Sequence, residues 1–192
     1  MLNHNLPARP YPELDGAHLK ELMLRYQQGD AHAADELVSL TTPLLSRYLN
    51  ATSMRALNLD DLLQECWLRI HRARGSYERG EPVLPWLLAI ARHARVDFFR
   101  KWQRTAGREL ELPETVRMPD AKGDTMQAKN LMNLISTLPE GQREVIVLLK
   151  LTGMTAEEVA RATGSTAGAV KQKAYRAYQA IRQAMNSEQE PE

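Results

Sequence analysis

The sequence predicts an all-α protein of two small helical domains joined by a flexible linker, with a helix-turn-helix in the second domain. Apolar residues recur at spacings of three and four along most of the 192-residue chain, which is the period of buried helical stripes. No run alternates apolar and polar residues over the length of a strand. Residues 105–129 combine prolines, glycines and mixed charges with weak periodicity, which is typical of a linker between domains.

The first domain is predicted over residues 18–104, after a proline-containing N-terminal arm over residues 1–17. Apolar spacing predicts its helices over residues 18–48 with a stop and restart at Gly29-Asp30, over 60–71, and over about 85–103. Acidic residues in the first turn of the helix over 60–71 suit the helix dipole. A loop rich in glycine and proline separates the last two helices, and Pro85 is well placed to begin the helix that follows it.

The second domain is predicted over residues 130–185 and is followed by an acidic tail over 186–192. Its four helical patterns cover residues 131–138, 139–151, 155–163 and 165–185. Thr155 and Glu158 have the spacing of a capping box, in which each side chain satisfies the other's free amide group at a helix start. Gly164 follows about two turns later, where glycine tolerates a left-handed C-terminal conformation, and Ser165 is available to cap the next helix.

Two helices that meet across so short a turn have the form of a helix-turn-helix, in which the second helix enters the major groove of DNA. The second helix here carries lysines and arginines and no acid before residue 187. Val159, Val170 and Ile181 are among the apolar residues predicted to pack inward. The residues predicted to contact DNA are Thr166, Ala167, Lys171, Gln172, Lys173, Tyr175 and Arg176. An ordinary antiparallel helix pair with a solvated basic face is the alternative at this point.

Composition excludes several classes of protein. Hydrophobic residues make up 43% of the chain, and its formal net charge is +1, although the basic residues gather in two stretches. The single cysteine, Cys66, excludes an intramolecular disulfide and suits a reducing compartment. The N-terminus lacks the apolar core of a signal peptide, and no stretch reaches the roughly 20 apolar residues that span a bilayer. We therefore expect a cytoplasmic protein.

Three stretches resemble the extracytoplasmic-function (ECF) group of bacterial sigma factors, the minimal two-domain members of the sigma-70 family. "NLDDLLQECWLRIHRARGSYERG" is similar to the polymerase-binding helix of that family, and "PWLLAIARHARVDFFRKWQR" is similar to its promoter-melting helix. "LPEGQREVIVLLKLTGMTAEEVARATGSTAGAVKQKAYRAYQAIR" is similar to its fourth region. The resemblance implies that the first domain is sigma region 2 and the second is sigma region 4. Many members have Ser-Arg where this chain has Gln172-Lys173, so the promoter sequence stays open.

The resemblance implies that the acidic helix docks on the clamp helices of the largest subunit of core RNA polymerase. The residues that match this role are Asp60, Asp61, Leu63, Gln64, Glu65 and Leu68. A carboxylate cluster also raises the possibility of metal chemistry. Because no convincing set of histidines or cysteines accompanies these acids, we expect no metal and no other cofactor. Leu62, Cys66 and Ile70, with Trp67, are predicted to lie in the core, which makes Cys66 inert.

The next helix interleaves basic and aromatic residues, which suits melted single-stranded DNA because cations hold phosphates and rings stack on bases. The loop before it is similar to the family loop that holds a flipped base of the minus-ten element, and such a loop selects sequence by its shape. The minus-ten residues predicted here are Ser76, Tyr77, Glu78, Arg79, Arg92, Arg95, Arg100 and Lys101. Several rings and apolar residues of this helix, including Trp86, Leu87 and Phe98, have core spacing, so only part of the aromatic set is expected to meet DNA.

The resemblance thus implies a factor that binds core polymerase and directs promoter-specific initiation. The second domain would read the minus-thirty-five element and touch the polymerase flap. It also implies an anti-sigma factor, often membrane-anchored in this family, and no small-molecule substrate. A sigma mimic or adaptor that binds an anti-sigma factor without promoter contact is the alternative, but it does not need uncompensated positive charge on two helices. A plain helix-turn-helix regulator leaves residues 18–104 unexplained, and no catalytic spacing predicts an enzyme.

Overall fold

The computed structural model describes residues 14–53, 58–106 and 133–187. All regular structure within these ranges is helical, which confirms the all-α prediction. The predicted linker beyond Ala106, the predicted arm before Leu14 and the acidic tail beyond Ser187 lie outside the described residues. No helix in the described ranges combines the length and the apolarity that crossing a bilayer requires.

The first helical unit contains four helices, and side-chain caps explain where three of them begin. The helices are α1 (Gly16–Gln27), α2 (Ala31–Thr52), α3 (Leu59–Ala73) and α4 (Val83–Ala106), with a 3-10 turn at Arg74–Ser76 between the last two. Asp15, Asp30 and Asn58 each accept a backbone N–H from the first turn of α1, α2 and α3. The predicted restart at Gly29-Asp30 is therefore confirmed. Helix α4 begins at Val83, two residues before the predicted start, so Pro85 lies in its first turn.

The core of this unit is apolar and closed to solvent. Helix α1 packs on α2, α3 packs on α4, and α2 contacts both α3 and α4. Fully buried core residues include Leu22, Met23, Leu37, Leu45, Leu62, Cys66, Ile70, Leu87 and Leu88. The predicted core positions on α3 are confirmed, except that Trp67 is only half-buried. Burial raises the pKa of the Cys66 thiol to about 12, so it stays protonated and unreactive near neutral pH.

The second helical unit contains the predicted helix-turn-helix. Its elements are a helical segment over residues 133–137, then α5 (Glu140–Lys150), α6 (Ala156–Thr163) and α7 (Ala167–Ser187). The capping box at the start of α6 is confirmed, because the Thr155 amide donates to the Glu158 carboxylate at 2.8 Å and the Glu158 amide donates to the Thr155 hydroxyl at 3.2 Å. Gly164 ends α6 with a φ of 63°, the left-handed conformation predicted for it.

The cap of α7 differs from the prediction. The Ala169 amide donates to the Thr166 hydroxyl at 3.2 Å, so Thr166 caps the helix instead of Ser165. The Ser165 hydroxyl lies 2.8 Å from the Thr163 hydroxyl, which leaves it on the turn. Helix α7 consequently begins at Ala167, two residues later than predicted. The apolar residues predicted to face inward from α6 and α7 are buried, among them Val159, Val170 and Ile181.

The two helical units pack against each other. Helices α2 and α4 of the first unit contact α5 and α6 of the second. At the rim of this contact, Arg161 of α6 lies 3.7 Å from Glu81, and both side chains are about half exposed. At its centre, Glu144 of α5 is 5% exposed and faces α2 and α4. The contact therefore buries charged groups as well as apolar ones, and it determines which basic residues of α4 reach solvent.

Candidate nucleic-acid interface and protein-binding face

Helix α3 presents part of the predicted polymerase-binding set on one open face. Asp61, Gln64 and Leu68 are exposed at helical spacings of three and four, and the Leu68 side chain is 52% exposed although it is apolar. Asp60 is also exposed beside the cap of the helix. We define these four residues as the α3 face. The α3 face thus offers a partner an apolar side chain beside two carboxylates and an amide.

The other two residues of the predicted polymerase-binding set lie differently. Leu63 is half-buried and packs on the core. Glu65 accepts a hydrogen bond from Arg69 at 2.7 Å, and Arg69 donates a second bond to Asp97 of α4 at 2.8 Å. Glu65 therefore belongs to an ion-pair chain that joins α3 to α4. Its carboxylate is less available to a partner than that of Asp61.

The loop from Gly75 to Pro82 separates into one buried side chain and an exposed tip. Tyr77 is 4% exposed, its ring meets that of Trp86 edge-on at 5.6 Å, and its hydroxyl donates to the Glu81 carbonyl. Tyr77 therefore anchors the loop in the core and does not present its ring for stacking on a base. Glu78 and Arg79 are exposed. Ser76 is exposed too, but its hydroxyl donates to the Ala73 carbonyl at 2.7 Å.

The predicted DNA-binding cations of α4 also fall into two groups. Arg100 and Lys101 lie at solvent, and Arg100 makes a long ion pair with Asp97, at 3.7 Å. Arg92 and Arg95 instead face the second helical unit, with side chains that are 31% and 7% exposed. In this arrangement Arg95 is inaccessible to a nucleic acid.

Five side chains form a polar cluster between the two units, which we call the inter-unit cluster: Tyr48, Arg92, Arg95, Glu140 and Glu144. Glu144 accepts a hydrogen bond from the Tyr48 hydroxyl at 2.8 Å and pairs with both arginines, at 3.2 Å and 3.3 Å. Arg95 also donates to Glu140 at 3.0 Å and to the Thr52 carbonyl at 2.8 Å. Burial and the nearby Glu144 carboxylate raise the pKa of Tyr48, which keeps its hydroxyl protonated as a donor.

The sequence analysis missed Glu144 and Tyr48. The sequence pattern around Glu144 could have indicated that this residue is buried. Glu144 shares a helical face with Leu148 and Leu151, at spacings of four and seven. A charge on an apolar stripe is seldom left without a partner, because burying an unpaired carboxylate is costly. That signal predicts a cation nearby but does not say which one. The partner in fact lies on a helix of the other unit, 49 residues away in the chain.

Helix α7 presents the predicted DNA-reading residues to solvent. Thr166, Lys171, Gln172, Lys173, Tyr175 and Arg176 are exposed, and Ala167 is half-buried. The Thr166 hydroxyl is already engaged in capping, so its contribution to DNA contact is restricted. Lys171 lies 3.7 Å from Glu157 of α6, with both side chains more than 60% exposed. Among the described residues, Lys173 and Arg176 make no ion pair, so positive charge predominates at the start of α7.

A cleft of about 560 Å³ lies where the two units meet. Arg100 of α4 and Lys173 of α7 both line it, together with Arg143 of α5. Cations from both predicted DNA-binding helices therefore border one concave space. Glu140 and Glu144 also line this space and offset part of the positive charge.

Comparison with known proteins identifies both units. The family model of sigma-70 region 2 matches residues 37–105, and that of sigma-70 region 4 matches residues 128–181. The ECF RNA polymerase sigma factor SigD of Mycobacterium tuberculosis is 32% identical over 191 residues, covering 92% of this chain and 88% of the relative. The ECF RNA polymerase sigma factor SigF of Caulobacter vibrioides is 31% identical over 169 residues, covering 87% and 93%.

Two solved structures share the fold. The structure of CnrH in complex with the cytosolic domain of CnrY has a TM-score of 0.68 and 20% identity, covering 88% of this chain and 98% of that chain. The sigma factor RpoE of Bartonella quintana, solved in complex with the anti-sigma factor NepR, has a TM-score of 0.68 and 21% identity, covering 79% and 96%. With both sigma regions matched in order and relatives above 30% identity along almost the whole length, the chain belongs to the ECF group of RNA polymerase sigma factors, which direct transcription initiation at promoters.

Proposed function

We propose that the two helical units divide the work of promoter recognition, as sigma region 2 over residues 18–104 and sigma region 4 over residues 130–185. The first unit docks core polymerase through the α3 face and captures the opened minus-ten strand with the loop tip and the exposed cations of α4. The second unit reads the minus-thirty-five duplex with the start of α7 and touches the polymerase flap. Residues 105–129 connect the two units, and a flexible chain of about 25 residues reaches on the order of 25 to 30 Å.

The observation that carries this proposal is the exposed basic start of α7. Thr166 and Ala167 lie at its N-terminus, and the cations Lys171, Lys173 and Arg176 follow within three turns. Recognition helices place their N-terminal residues at base edges, while cations further along hold phosphates. We assign Lys171 and Gln172 to base contact and Arg176 to phosphate contact, because Arg176 lies further from the helix start.

Arg95 reaches DNA only after the two units separate. In the packed arrangement Arg95 is 7% exposed and is held by two glutamates and a carbonyl oxygen. Arg92 is 31% exposed and pairs with Glu144, so separation would expose it further. Arg100 and Lys101 need no such change because they already lie at solvent. We therefore propose that Arg100 and Lys101 contribute to DNA affinity in both arrangements, that Arg92 contributes more in the open one, and that Arg95 contributes in the open one alone.

An anti-sigma factor is the partner we propose besides polymerase and promoter DNA. The support is the likeness to the fold of CnrH and RpoE, each solved with a bound protein that in the second case is an anti-sigma factor. The protein would act in the cytoplasm, where polymerase works, and by binding alone, with no reaction, cofactor or small-molecule substrate of its own. The anti-sigma factor would be either a free protein or the cytosolic part of a membrane-anchored one.

Transcription by purified core polymerase on fragmented genomic DNA tests the functional proposal. Start sites that appear only when this protein is added, and that share an upstream and a downstream element, are the expected result. A protein that binds polymerase yet yields no dependent start site on any fragment would act as a sigma mimic or adaptor, and the proposal would then be wrong.

Co-purification with core polymerase tests the α3 face separately. Asp61→Lys reverses an exposed charge without touching a core residue, so it should weaken polymerase binding and lower the thermal melt only slightly, by the loss of a favourable charge in the first turn of α3. Asp35→Lys is the matched control, since Asp35 is an exposed acid on α2 outside the α3 face. Equal polymerase binding by the two variants would exclude the α3 face as the docking surface.

A further inference from the structure

Helix α1 holds the loop that carries the predicted minus-ten residues. The side-chain amide of Gln27 donates to two loop carbonyls, that of Arg74 at 2.7 Å and that of Tyr77 at 2.9 Å. The Lys20 ammonium donates to the Gly80 carbonyl at 2.6 Å. Lys20 and Gln27 are separated by seven residues, so they lie on one face of α1, two turns apart. We call this pair of side chains the α1 clamp.

The α1 clamp brackets the exposed tip of the loop. Glu78 and Arg79 are the two residues between the carbonyls of Tyr77 and Gly80, and both of their side chains are exposed. Gly80 has a φ of 98°, a conformation that side chains other than hydrogen rarely adopt, so the chain bends sharply at the second anchor. The backbone on each side of the tip is therefore held by a donor from α1, and the tip projects between two fixed points.

Both members of the clamp are engaged with the loop backbone. The Gln27 amide donates to two loop carbonyls, the Lys20 ammonium donates one of its three N–H bonds to a third, and both residues are only partly exposed. A second contact fixes the start of the loop, where the Tyr26 hydroxyl lies 2.7 Å from Nδ1 of His71 and the Arg74 guanidinium lies over the Tyr26 ring. Lys20 and Gln27 thus hold the loop by its backbone, and Tyr26 adds side-chain contacts where the loop begins.

We propose that Lys20 and Gln27 are positioning residues for minus-ten specificity, acting through the shape of the loop tip. This inference rests on the proposed function of the loop. A flipped base is selected by the shape of the pocket that receives it and by the contacts made within that pocket. Donors that fix the carbonyls on both sides of the tip therefore bias which base fits, although α1 lies far from both ends of the loop in sequence.

The test is promoter choice by polymerase holoenzyme on a template library randomised only in the minus-ten element, with transcripts sequenced. Lys20→Met and Gln27→Leu each keep most of the apolar part of the side chain and remove its donors. Each should change the relative use of competing minus-ten sequences by about two- to tenfold, the scale of one or two lost hydrogen bonds. Lys20→Arg should restore the wild-type ranking because it keeps a cationic donor.

Controls separate positioning from a general structural effect. Gln28→Leu alters the exposed neighbour of Gln27 and should leave the minus-ten ranking unchanged. A second library randomised only in the minus-thirty-five element should show the wild-type ranking for every variant, since α7 belongs to the other helical unit. Lys20 is at the surface, so Lys20→Met keeps the test valid even where Gln27→Leu unfolds the domain.

An unchanged minus-ten ranking for a folded Lys20→Met or Gln27→Leu variant would overturn the inference. An equal change of ranking in both libraries would also overturn it, because that result indicates a general loss of fold. The proposed function fails in a different way, namely when the wild-type protein shows no preference among minus-ten sequences at all.

Discussion

The two helices predicted to bind DNA, α4 and α7, carry similar charge but stand in different surroundings. On α4 the Arg95 side chain is 7% exposed and pairs with two glutamates of the other unit. On α7 the Lys171 side chain is 69% exposed and has one long ion pair with a neighbouring helix. Positive charge along a sequence therefore indicates that a helix binds anions. It does not indicate whether the anion is a DNA phosphate or a carboxylate of the same protein.

The difference arises from how many sides of each helix are covered. Helix α4 packs on α1, α2 and α3 and also receives α6 of the second unit, so its surface is largely covered except toward its C-terminal end. Among the described elements, helix α7 packs mainly on α5 and α6, and the cations at the start of its basic face are exposed. A cation on a helix covered from both sides needs an internal counter-charge, and Glu144 supplies one for Arg92 and Arg95.

Breaking the inter-unit cluster should have the largest effect. Glu144→Ala leaves Arg95 as a buried charge without its buried partner, which costs about 3 to 5 kcal/mol when the charge stays buried. Urea denaturation should show this loss in the free energy of unfolding. Glu140→Ala is the matched control, because Glu140 pairs with the same arginine but is 69% exposed, and it should cost less than about 1 kcal/mol. Losses below about 1 kcal/mol for both variants would show that the units separate at little cost.

Substitutions at the start of α7 should have the next largest effect, on promoter choice. Lys171→Ala or Gln172→Ala should lose about 1 to 3 kcal/mol of binding free energy at one upstream base. Each should therefore change which sequences are transcribed most from a library randomised in the minus-thirty-five element. Arg176→Ala should lower the yield of all promoters alike, because a phosphate contact carries no base information. Identical rankings for all three variants would indicate that α7 does not read bases.

Salt dependence should show whether the exposed cations of α4 contact DNA phosphates. Arg100→Ala should reduce the slope of log affinity against log salt by about one unit, and by less where the contact is to a single strand. Binding of holoenzyme to a fork-junction promoter across a salt series measures this slope. Arg72→Ala is the control, since Arg72 is exposed on α3 outside the predicted DNA set. The same slope for wild type and Arg100→Ala would place the Arg100 side chain away from DNA.

The smallest effect is expected at the exposed pair on the helix-turn-helix. Glu157→Gln removes the carboxylate that lies 3.7 Å from Lys171. Because both side chains are exposed, the free energy of unfolding should change by less than about 0.5 kcal/mol. Thermal unfolding curves of the variant and of the wild-type protein, recorded under the same conditions, measure the change. A loss of more than about 1 kcal/mol would mean that Lys171 is held by its neighbour, and α7 would then resemble α4 more closely than the structure indicates.

Local pattern predicted the helices and the turn between α6 and α7 well, because the interactions that define them act over a few residues. The capping box of Thr155 and Glu158 and the left-handed Gly164 are both present as predicted. The buried stripes followed the helical period for the same reason. Errors occurred at helix starts, where Thr166 takes the capping position predicted for Ser165, since either hydroxyl is compatible with the local pattern.

The predicted site residues were harder to place, because exposure depends on neighbours distant in sequence. Tyr77 has an aromatic ring of the kind that stacks on bases, but this ring is buried against Trp86. Glu65 looks like one more acid of the α3 face but is held by Arg69. Tyrosine and glutamate both occur on exposed binding surfaces and in contacts within a protein. For Tyr77 and Glu65, the packing of α3, α4 and the loop between them decides which of the two applies.

By itself the sequence determined the helical class, the order of the helices, the helix-turn-helix and the family, since each of these rests on residue types at short spacing. Tertiary structure alone decided which of the predicted cations are free. Tyr48 and Glu144 are 96 residues apart in the chain, and Lys20 and Gly80 are 60 apart. Contacts of that range depend on how whole helices pack, which is set by the total buried surface and not by any local pattern of residues.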